Sequence, residues 1–521
     1  MMMKEFITFL LIVCGFNIYA QALKFQFTIG NTQTEIANSI YQTSDGGFII
    51  AGATYPSFTN ADVYLVKLNS AGVLEWTKTY GGSSNDIGHY VIETSGGYLI
   101  AGETESFSSS GDAFLIRTDM NGDTLWTKTY GGTGSDIANK IEELPSGNFL
   151  LTGSFQINGV NQMGLLRINS LGTLLSQGYI SPYQFASPIN KATYFGNGKV
   201  GFTGANPDLV IADTNGTYIS TYPAFSGGRS VDAILTSDQK YLSLIYDDVG
   251  GPQGSNITLT KFDPLNNSTI FSNKFSTNFD DTPVSIVEAN DHGFVILATS
   301  YTSFSSNQSL LLIKTDSLAD NVLWSKRYSV TPAEDNFEGQ VIKTTDGGYA
   351  IAASTTVNGN FSNYDYYIIK TDSAGDSFCN QSTATLTQST ATAASGTLPI
   401  PLTYSLANAG TLVAPVISTY GTQNIICTTV GVENLTEEGN SFTVFPNPAN
   451  TECNVEGLKF NINDEIIMSN VLGEIFFKTK IVQPTSSFKL QTSNFACGIY
   501  FLSVKTNNII ITKKLIINHS K

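Results

Sequence analysis

Residues 124–144 read TLWTKTYGGTGSDIANKIEEL, and residues 73–94 have already read VLEWTKTYGGSSNDIGHYVIET. Trp76 and Trp126 stand fifty residues apart, so the period of the chain is the first property to establish. A second phrase keeps the same rhythm. SDGGFIIAG at 44–52 returns as SGGYLIAG at 95–102 and TDGGYAIAA at 345–353, with weaker echoes at 145–153, 196–204, 237–245 and 290–298. That makes seven occurrences.

Inside one unit four short segments alternate with turns: DIGHYVIET, GYLIAGE, DAFLIRTD and LWTKTYGG. Each is rich in β-branched and aromatic residues and bounded by Gly, Asn, Asp or Ser, which is the pattern of strands. The turns NSAG, DMNG, NSLG, DTNG and DSAG carry residues that tolerate positive φ. A four-stranded antiparallel sheet repeated seven times, each copy unable to bury both faces alone, specifies an all-β, seven-bladed β-propeller. The last unit lacks a counterpart of WTKTYGG. KFQFTIG, residues 24–30, stands at the other end of the mature chain and is expected to complete the blade opened there, closing the ring.

Composition agrees. Of 521 residues only 13% are charged and 47 are Gly, which suits strands and turns. A net charge of −16 repels phosphate backbones, so nucleic acid is not an expected partner. The first twenty residues, with Lys4, an apolar run from Phe6 to Val13 and the small Ala20, read as a secretory signal peptide cleaved before Gln21. Cys14 follows Val13, not the small residue a lipoprotein signal needs. No transmembrane segment is expected in the mature chain.

The phrases DAFLIRTDMNGDTLWTKTYGG, SDIANK and GGYLIAG resemble the short bacterial β-propeller repeat of secreted proteins, over roughly residues 24–376. The likeness is good in units one, two, six and seven and weak in units three to five. The propeller is therefore placed at 21–376. A Thr- and Ser-rich stretch, 377–440, reads as a loosely packed connector ending in a polar linker. Cys379 and Cys427 form a candidate disulfide there, which export permits. From 441 to 521 alternating strands suggest a small β-sandwich. Its FPNPAN, NVLGEI, GIYFLSV and KKLIIN resemble the type IX secretion C-terminal sorting domain of Bacteroidota. The resemblance implies the type IX translocon as partner, export across the outer membrane, and a cell-surface or extracellular destination.

Chemistry is sparse. The three histidines, His89, His292 and His519, are scattered, and no GxSxG, HExxH or P-loop occurs. No catalytic residue, metal or cofactor is expected. Glu35, Asp86, Asp136, Asp281 and Asp335 recur near the start of the first strand. Paired carboxylates there suit a polysaccharide-active enzyme, but a residue repeated in each copy more often satisfies a turn. TSDGGF and TTDGGY glance at the Asp-box of sialidases yet recur as plain hairpin turns. DTL at 123, DSL at 316 and DSA at 372 fit a short O-glycosylation acceptor pattern. Loops after the second and fourth strands share one face, vary between units and carry Tyr55, Phe58, Phe107, Tyr301, Phe304, Phe361 and Tyr364. These are the candidate ligand-binding residues, able to stack on sugar rings or peptide side chains. The sequence thus points to a non-catalytic binding or display module for carbohydrate or protein. An extracellular enzyme using the carboxylates and a structural surface-layer component are the alternatives.

Overall fold

In the computed structural model the described residues are 23–390 and 442–518 and, between them, the backbone of Ala409–Leu412, Val416–Ile417 and Thr422–Thr429. Residues 32, 58–59, 108–109, 181–190, 205–208, 223–227, 252–253, 278, 302–307, 331–335, 358–359, 463, 471–474, 497 and 506–509 lie outside the description. The chain forms two units, Met1–Thr428 and Thr429–Lys521.

The first unit is a seven-bladed β-propeller. Blades 1 to 6 are the four-stranded antiparallel sheets of residues 34–80, 86–130, 136–180, 191–222, 229–276 and 281–328. Blade 7 takes three strands from 336–371 and its fourth from Lys24–Gly30, with Phe25 opposite Lys370 and Ile29 opposite Tyr366. The expected clasp is therefore present. First strands lie side by side around a closed circle, that of blade 7 touching that of blade 1.

The core lies between blades, with seven clusters of buried side chains at the seven junctions. In Asn60–Leu68 of blade 1, Val63 and Leu65 point into the junction with blade 2, whereas Tyr64 and Val66 point into that with blade 7. A strand buried on both faces needs a continuous apolar run, which is why these strands do not alternate.

The repeated phrases are the two halves of one seam. The Trp76 ring of blade 1 packs against Tyr98 of blade 2, the aromatic of the GGY turn, at 6.0 Å. It also lies on Gly122 of blade 2, where an added Cβ would come within 2.9 Å of the ring. Tyr80 OH then donates to the Gly122 carbonyl at 2.6 Å. Trp126 and Tyr130 grip Gly172 of blade 3 in the same way, and Trp324 and Tyr328 grip Gly375 of blade 7. At the closing junction Phe25 occupies the Trp position against Gly72 and Phe48, and Ile29 replaces the Tyr. Gly72, Gly122, Gly172 and Gly375 all have positive φ, so each is required twice, by its turn and by the ring upon it.

The DGG turns are fixed by a buried lysine. Asp45 Oδ1 accepts from Gly47 N at 2.8 Å, and Oδ2 accepts from Lys67 Nζ at 2.8 Å. Lys67 also donates to its neighbour's carbonyl, Leu68 O, at 2.8 Å. Lys314 with Asp291 and Lys370 with Asp346 repeat the arrangement. The aspartate that glances at an Asp-box thus compensates a lysine inside its own blade.

The Thr- and Ser-rich stretch differs from the loose connector read in the sequence. Its described parts are edge strands. Gln381–Thr383 pairs with the outer strand of blade 6 and Thr387–Thr390 with that of blade 5. Ala409–Leu412 then pairs with the outer strand of blade 2 and Val416–Ile417 with that of blade 1. Thr422–Thr429 lies beside Lys24–Gly30 in blade 7. The order 6, 5, 2, 1, 7 is the ring run backwards, so the stretch forms a belt. Outer strands present unpaired N–H and C=O groups, and backbone alone satisfies them. The polar linker at 430–440 lies outside the described residues.

The second unit is a small sandwich. One sheet holds Thr443–Phe445, Glu452–Phe460 and Thr485–Gln491; the other holds Glu465–Asn470, Ile475–Lys480, Gly498–Lys505 and Ile510–Ile517. Val455, Ile466, Met468, Leu502, Val504 and Leu515 are among the residues of its own core. Cys453 is a free, buried thiol, pushed up to about 11 by burial.

The seam makes a graded prediction. Tyr130→Phe removes one hydrogen bond and is expected to cost about 1 kcal/mol. Gly172→Ala adds strain at positive φ and a clash with Trp126, and is expected to cost roughly 2–4 kcal/mol. Urea unfolding of the two variants checks the order; equal costs would remove the glycine contact from this account.

Candidate functional site

The recurrent carboxylates come first, because they decide whether the loop face holds free acids. Each reaches back four residues to the loop that enters its strand. Gly82 N donates to Asp86 at 2.7 Å, Gly132 N to Asp136 at 2.8 Å, Thr277 N to Asp281 at 2.7 Å and Asn31 N to Glu35 at 3.4 Å. Asp335 lies outside the described residues. All four are fully buried. They act as loop clamps repeated with the blade.

Three of these clamps have a second carboxylate beside them, from the third strand of the preceding blade. Asp365 stands by Glu35, Asp62 by Asp86 and Asp112 by Asp136, on either side of the first glycine of the turn. A Cβ at Gly131 would come within 2.6 Å of both Asp112 and Asp136. Burial pushes Glu35 up to about 8, and the charge of Asp365 adds to the rise. Burial likewise lifts Asp136 to about 6, with Asp112 contributing, and Asp62 to about 6, with Asp86 contributing. Each junction therefore favours holding a proton rather than two negative charges.

The sequence-read aromatics fall on blades 1, 2, 6 and 7. Tyr55 stands near the end of the second strand of blade 1, Tyr301 ends that of blade 6, and Tyr364 stands in the third strand of blade 7; all three are half-buried. Phe107, on blade 2, is half-buried too but packs on Phe114, with ring centroids 6.0 Å apart. Phe58, Phe304 and the side chain of Phe361 lie outside the description. Among the acceptor-pattern residues, Ser317 and Ser373 are exposed, whereas the Thr124 hydroxyl is buried. His89 pairs with Glu103 at 3.4 Å, and the exposed His292 lies 2.9 Å from Ser237 Oγ.

A feature the sequence reading missed lies on the propeller axis. Gln340 of blade 7 accepts from Ser39 Oγ and Ile40 N of blade 1, both at 3.0 Å. Its amide reaches past blade 1 to Tyr90 OH of blade 2, at 3.5 Å. Lys140 of blade 3 sits 5.5 Å from the Tyr90 ring centroid, 3.1 Å from Glu142, and donates to Thr193 of blade 4 at 3.1 Å. Lys191 of blade 4 lies 3.4 Å from Asp232 of blade 5 and donates to Val284 O of blade 6 at 3.1 Å. All seven blades join this network, and two contacts skip a blade, which narrows the channel. Burial opposes the charge of Lys140, but Glu142, Tyr90 and Asp232 outweigh it and raise its pKa. The signal for it was faint: single polar residues among apolar ones in the first strands.

Residues 443–518 match the family described as the secretion system C-terminal sorting domain. The chain is a β-propeller protein with a type IX sorting tail. That tail marks export across the outer membrane to the cell surface or beyond. No curated protein matches the chain. Among solved structures, the WD40 β-propeller domain of Doa1 is 10% identical with a TM-score of 0.43, over 67% of this chain and 97% of that one. YCF48 bound to D1 peptide gives 10%, 0.41, 66% and 96%. A protein of unknown function from Bacteroides caccae gives 12%, 0.36, 58% and 93%. Likenesses at this level carry no argument, and the fold stands on the strand pairing. Among the described residues no helix is long and apolar enough to cross a membrane.

The raised carboxyls give the propeller a pH dependence of definite sign. A carboxyl whose folded pKa exceeds its unfolded value binds more protons when folded, so stability falls as pH rises through the gap. For Glu35 the gap runs from 4.5 to about 8. The propeller is expected to melt at a lower temperature at pH 8 than at pH 5. Glu35→Gln, which imitates the protonated form, should raise the pH 8 midpoint and leave that at pH 4.5 nearly unchanged. Thermal melts at three pH values check this; a variant parallel to the parent at every pH would remove Glu35 as the source.

Proposed function

We propose that the protein is a secreted, surface-displayed propeller that binds carbohydrate or protein, without turnover, on the face carrying the loops after the second and fourth strands. The N-terminal twenty residues act as its signal peptide, the sorting domain engages the type IX translocon, and the source is a member of the Bacteroidota. The observation that carries the reading is the contrast on that face. The recurrent acids are spent on clamping their own loops, whereas Tyr55, Tyr301 and Tyr364 stand half-buried at the loop ends of three consecutive blades, 1, 6 and 7. Tyrosines combine an apolar face with a polar tip, which suits stacking on sugar rings and packing on peptide side chains. The paired axial network supports a ligand resting on the loops rather than threading the channel.

Binding of the purified mature protein to a glycan and polysaccharide array, with and without calcium, tests the proposal. Tyr55→Ala and Tyr301→Ala are each expected to weaken a specific hit about fivefold, roughly 1 kcal/mol per stacked ring. Hits unaffected by either substitution would move the site off this face. Cleavage of a bound polysaccharide would favour the enzymatic alternative, and silence towards both glycans and proteins the structural one.

A further inference from the structure

The belt has a covalent aspect. Cys379 is disulfide-bonded, whereas Cys453 in the other unit is a free thiol. Cys379 stands at the start of the belt, against the strand that closes the ring. Gln26 of Lys24–Gly30 donates to the Cys379 carbonyl and to Ser377 Oγ, and Tyr367 OH holds Gln26 from the other side at 2.6 Å. The last belt strand, Thr422–Thr429, contains Cys427 and lies beside the same Lys24–Gly30. Both ends of the belt therefore meet at the clasp.

We propose that Cys379 and Cys427 form this disulfide and that it turns the belt into a covalent loop anchored on the closing strand, making ring closure sensitive to redox state. The forty-seven residues between the two cysteines include the strands added to blades 6, 5, 2 and 1. Lys24–Gly30 is held on one side by Asn360–Thr371 and on the other by Thr422–Thr429. With the bond formed, the outer strand cannot drift away, because its residue 427 is tied to the turn that follows blade 7. With the bond reduced, the belt is held by backbone pairing and a few side-chain contacts, such as Gln388 on the Ala319 carbonyl and Ala384 in the junction of blades 5 and 6, and the clasp frays with it. The bond forms when two thiols lose two electrons and two protons to the disulfide of a dithiol oxidant, which leaves as its dithiol. An exported chain reaches a compartment where such oxidants operate.

The test uses the whole mature protein. Peptide mapping without reduction is expected to find one linked pair containing Cys379 and Cys427, with Cys453 alkylatable only after unfolding. Hydrogen exchange is then compared before and after phosphine reduction under native conditions. Lys24–Gly30 and the belt strands should lose about thirtyfold or more of their protection, while Gly97–Thr104 of blade 2 keeps its own. A linkage of Cys379 to any other cysteine overturns the pairing. Unchanged protection after complete reduction overturns the clasp. The Cys379→Ser, Cys427→Ser double variant should match the reduced protein, and the reduced parent decides the question if that variant does not fold.

Discussion

An aromatic ring lying on the glycine of the neighbouring blade's hairpin is the contact on which the propeller depends. Trp76, Trp126, Trp324 and Phe25 each make it, and three of the four junctions add a tyrosine hydroxyl bound to that glycine's carbonyl. One such contact fixes two coordinates at once: how far the next blade stands and how far it is turned. Because both faces of the middle strands are apolar, a blade without neighbours exposes its core. Pairwise seams propagate that need from blade to blade until the ring has no end. Where the grip is missing, a different fit replaces it. At the junction of blades 3 and 4 the backbone of Gly178 lies directly against Gly216, and at that of blades 5 and 6 Asn273 bonds the Ala319 carbonyl at 3.1 Å.

This explains what was legible in the sequence. WTKTYGG and DGGY are conspicuous because ring, hydroxyl and glycine must keep their spacing in every well-matched copy, so the repeat and the missing fourth strand could be read from the letters. KFQFTIG was recognisable as that strand because the last unit lacks its own and because TEIANSIYQT, which follows it at 34–43, parallels NDIGHYVIET at 85–94. The belt was not legible. Its strands are two to eight residues long and pair through backbone groups, which every residue except proline offers equally. A segment such as STATLTQST does alternate, with Ala384 and Leu386 turned inward between the exposed Thr383, Thr385 and Thr387, but two apolar residues are too faint a signal to mark an edge strand. The axial network escaped for a related reason: Lys140, Lys191 and Gln340 come from three blades and share no motif, being related only through the closed ring.

Burial separates the acids from the aromatics. A residue dictated by the seam recurs at a fixed place, as Glu35, Asp86, Asp136 and Asp281 do, and its chemistry is consumed within the fold. Pairing two carboxyls at a junction is costly unless one keeps its proton, so these sites tie the stability of the ring to pH rather than offering two ionised acids to a substrate. Tyr55 and Tyr301 share one repeat position, each directly after the residue paired with the clamp acid of its blade, Thr54 opposite Glu35 and Ser300 opposite Asp281. Tyr364 stands in a third strand, and Phe107 has turned inward onto Phe114. Tyr55, Tyr301 and Tyr364 differ from the acids in being half-buried rather than fully buried, which leaves part of each ring at the surface.

Ring closure sets ends of the chain against each other, and the magnitudes decide whether the clasp needs help. Gln26 and Tyr367 meet across 341 residues. Loop-closure entropy grows only as (3/2)RT ln n, so joining such distant strands costs about 3 kcal/mol more than closing a ten-residue loop. Phe25, Phe27 and Ile29 are fully buried by the clasp, and burying three such side chains contributes roughly 5–9 kcal/mol. Side-chain burial therefore outweighs the cost of distance without the belt. The belt's contribution lies elsewhere, in the time for which the closed state persists. A single outer strand can peel from an open edge one hydrogen bond at a time, whereas a strand paired on both sides opens only after its cover has left. For a protein sent outside the cell, where proteases act on whatever opens, slow opening of the weakest strand matters more than added depth in the folded well.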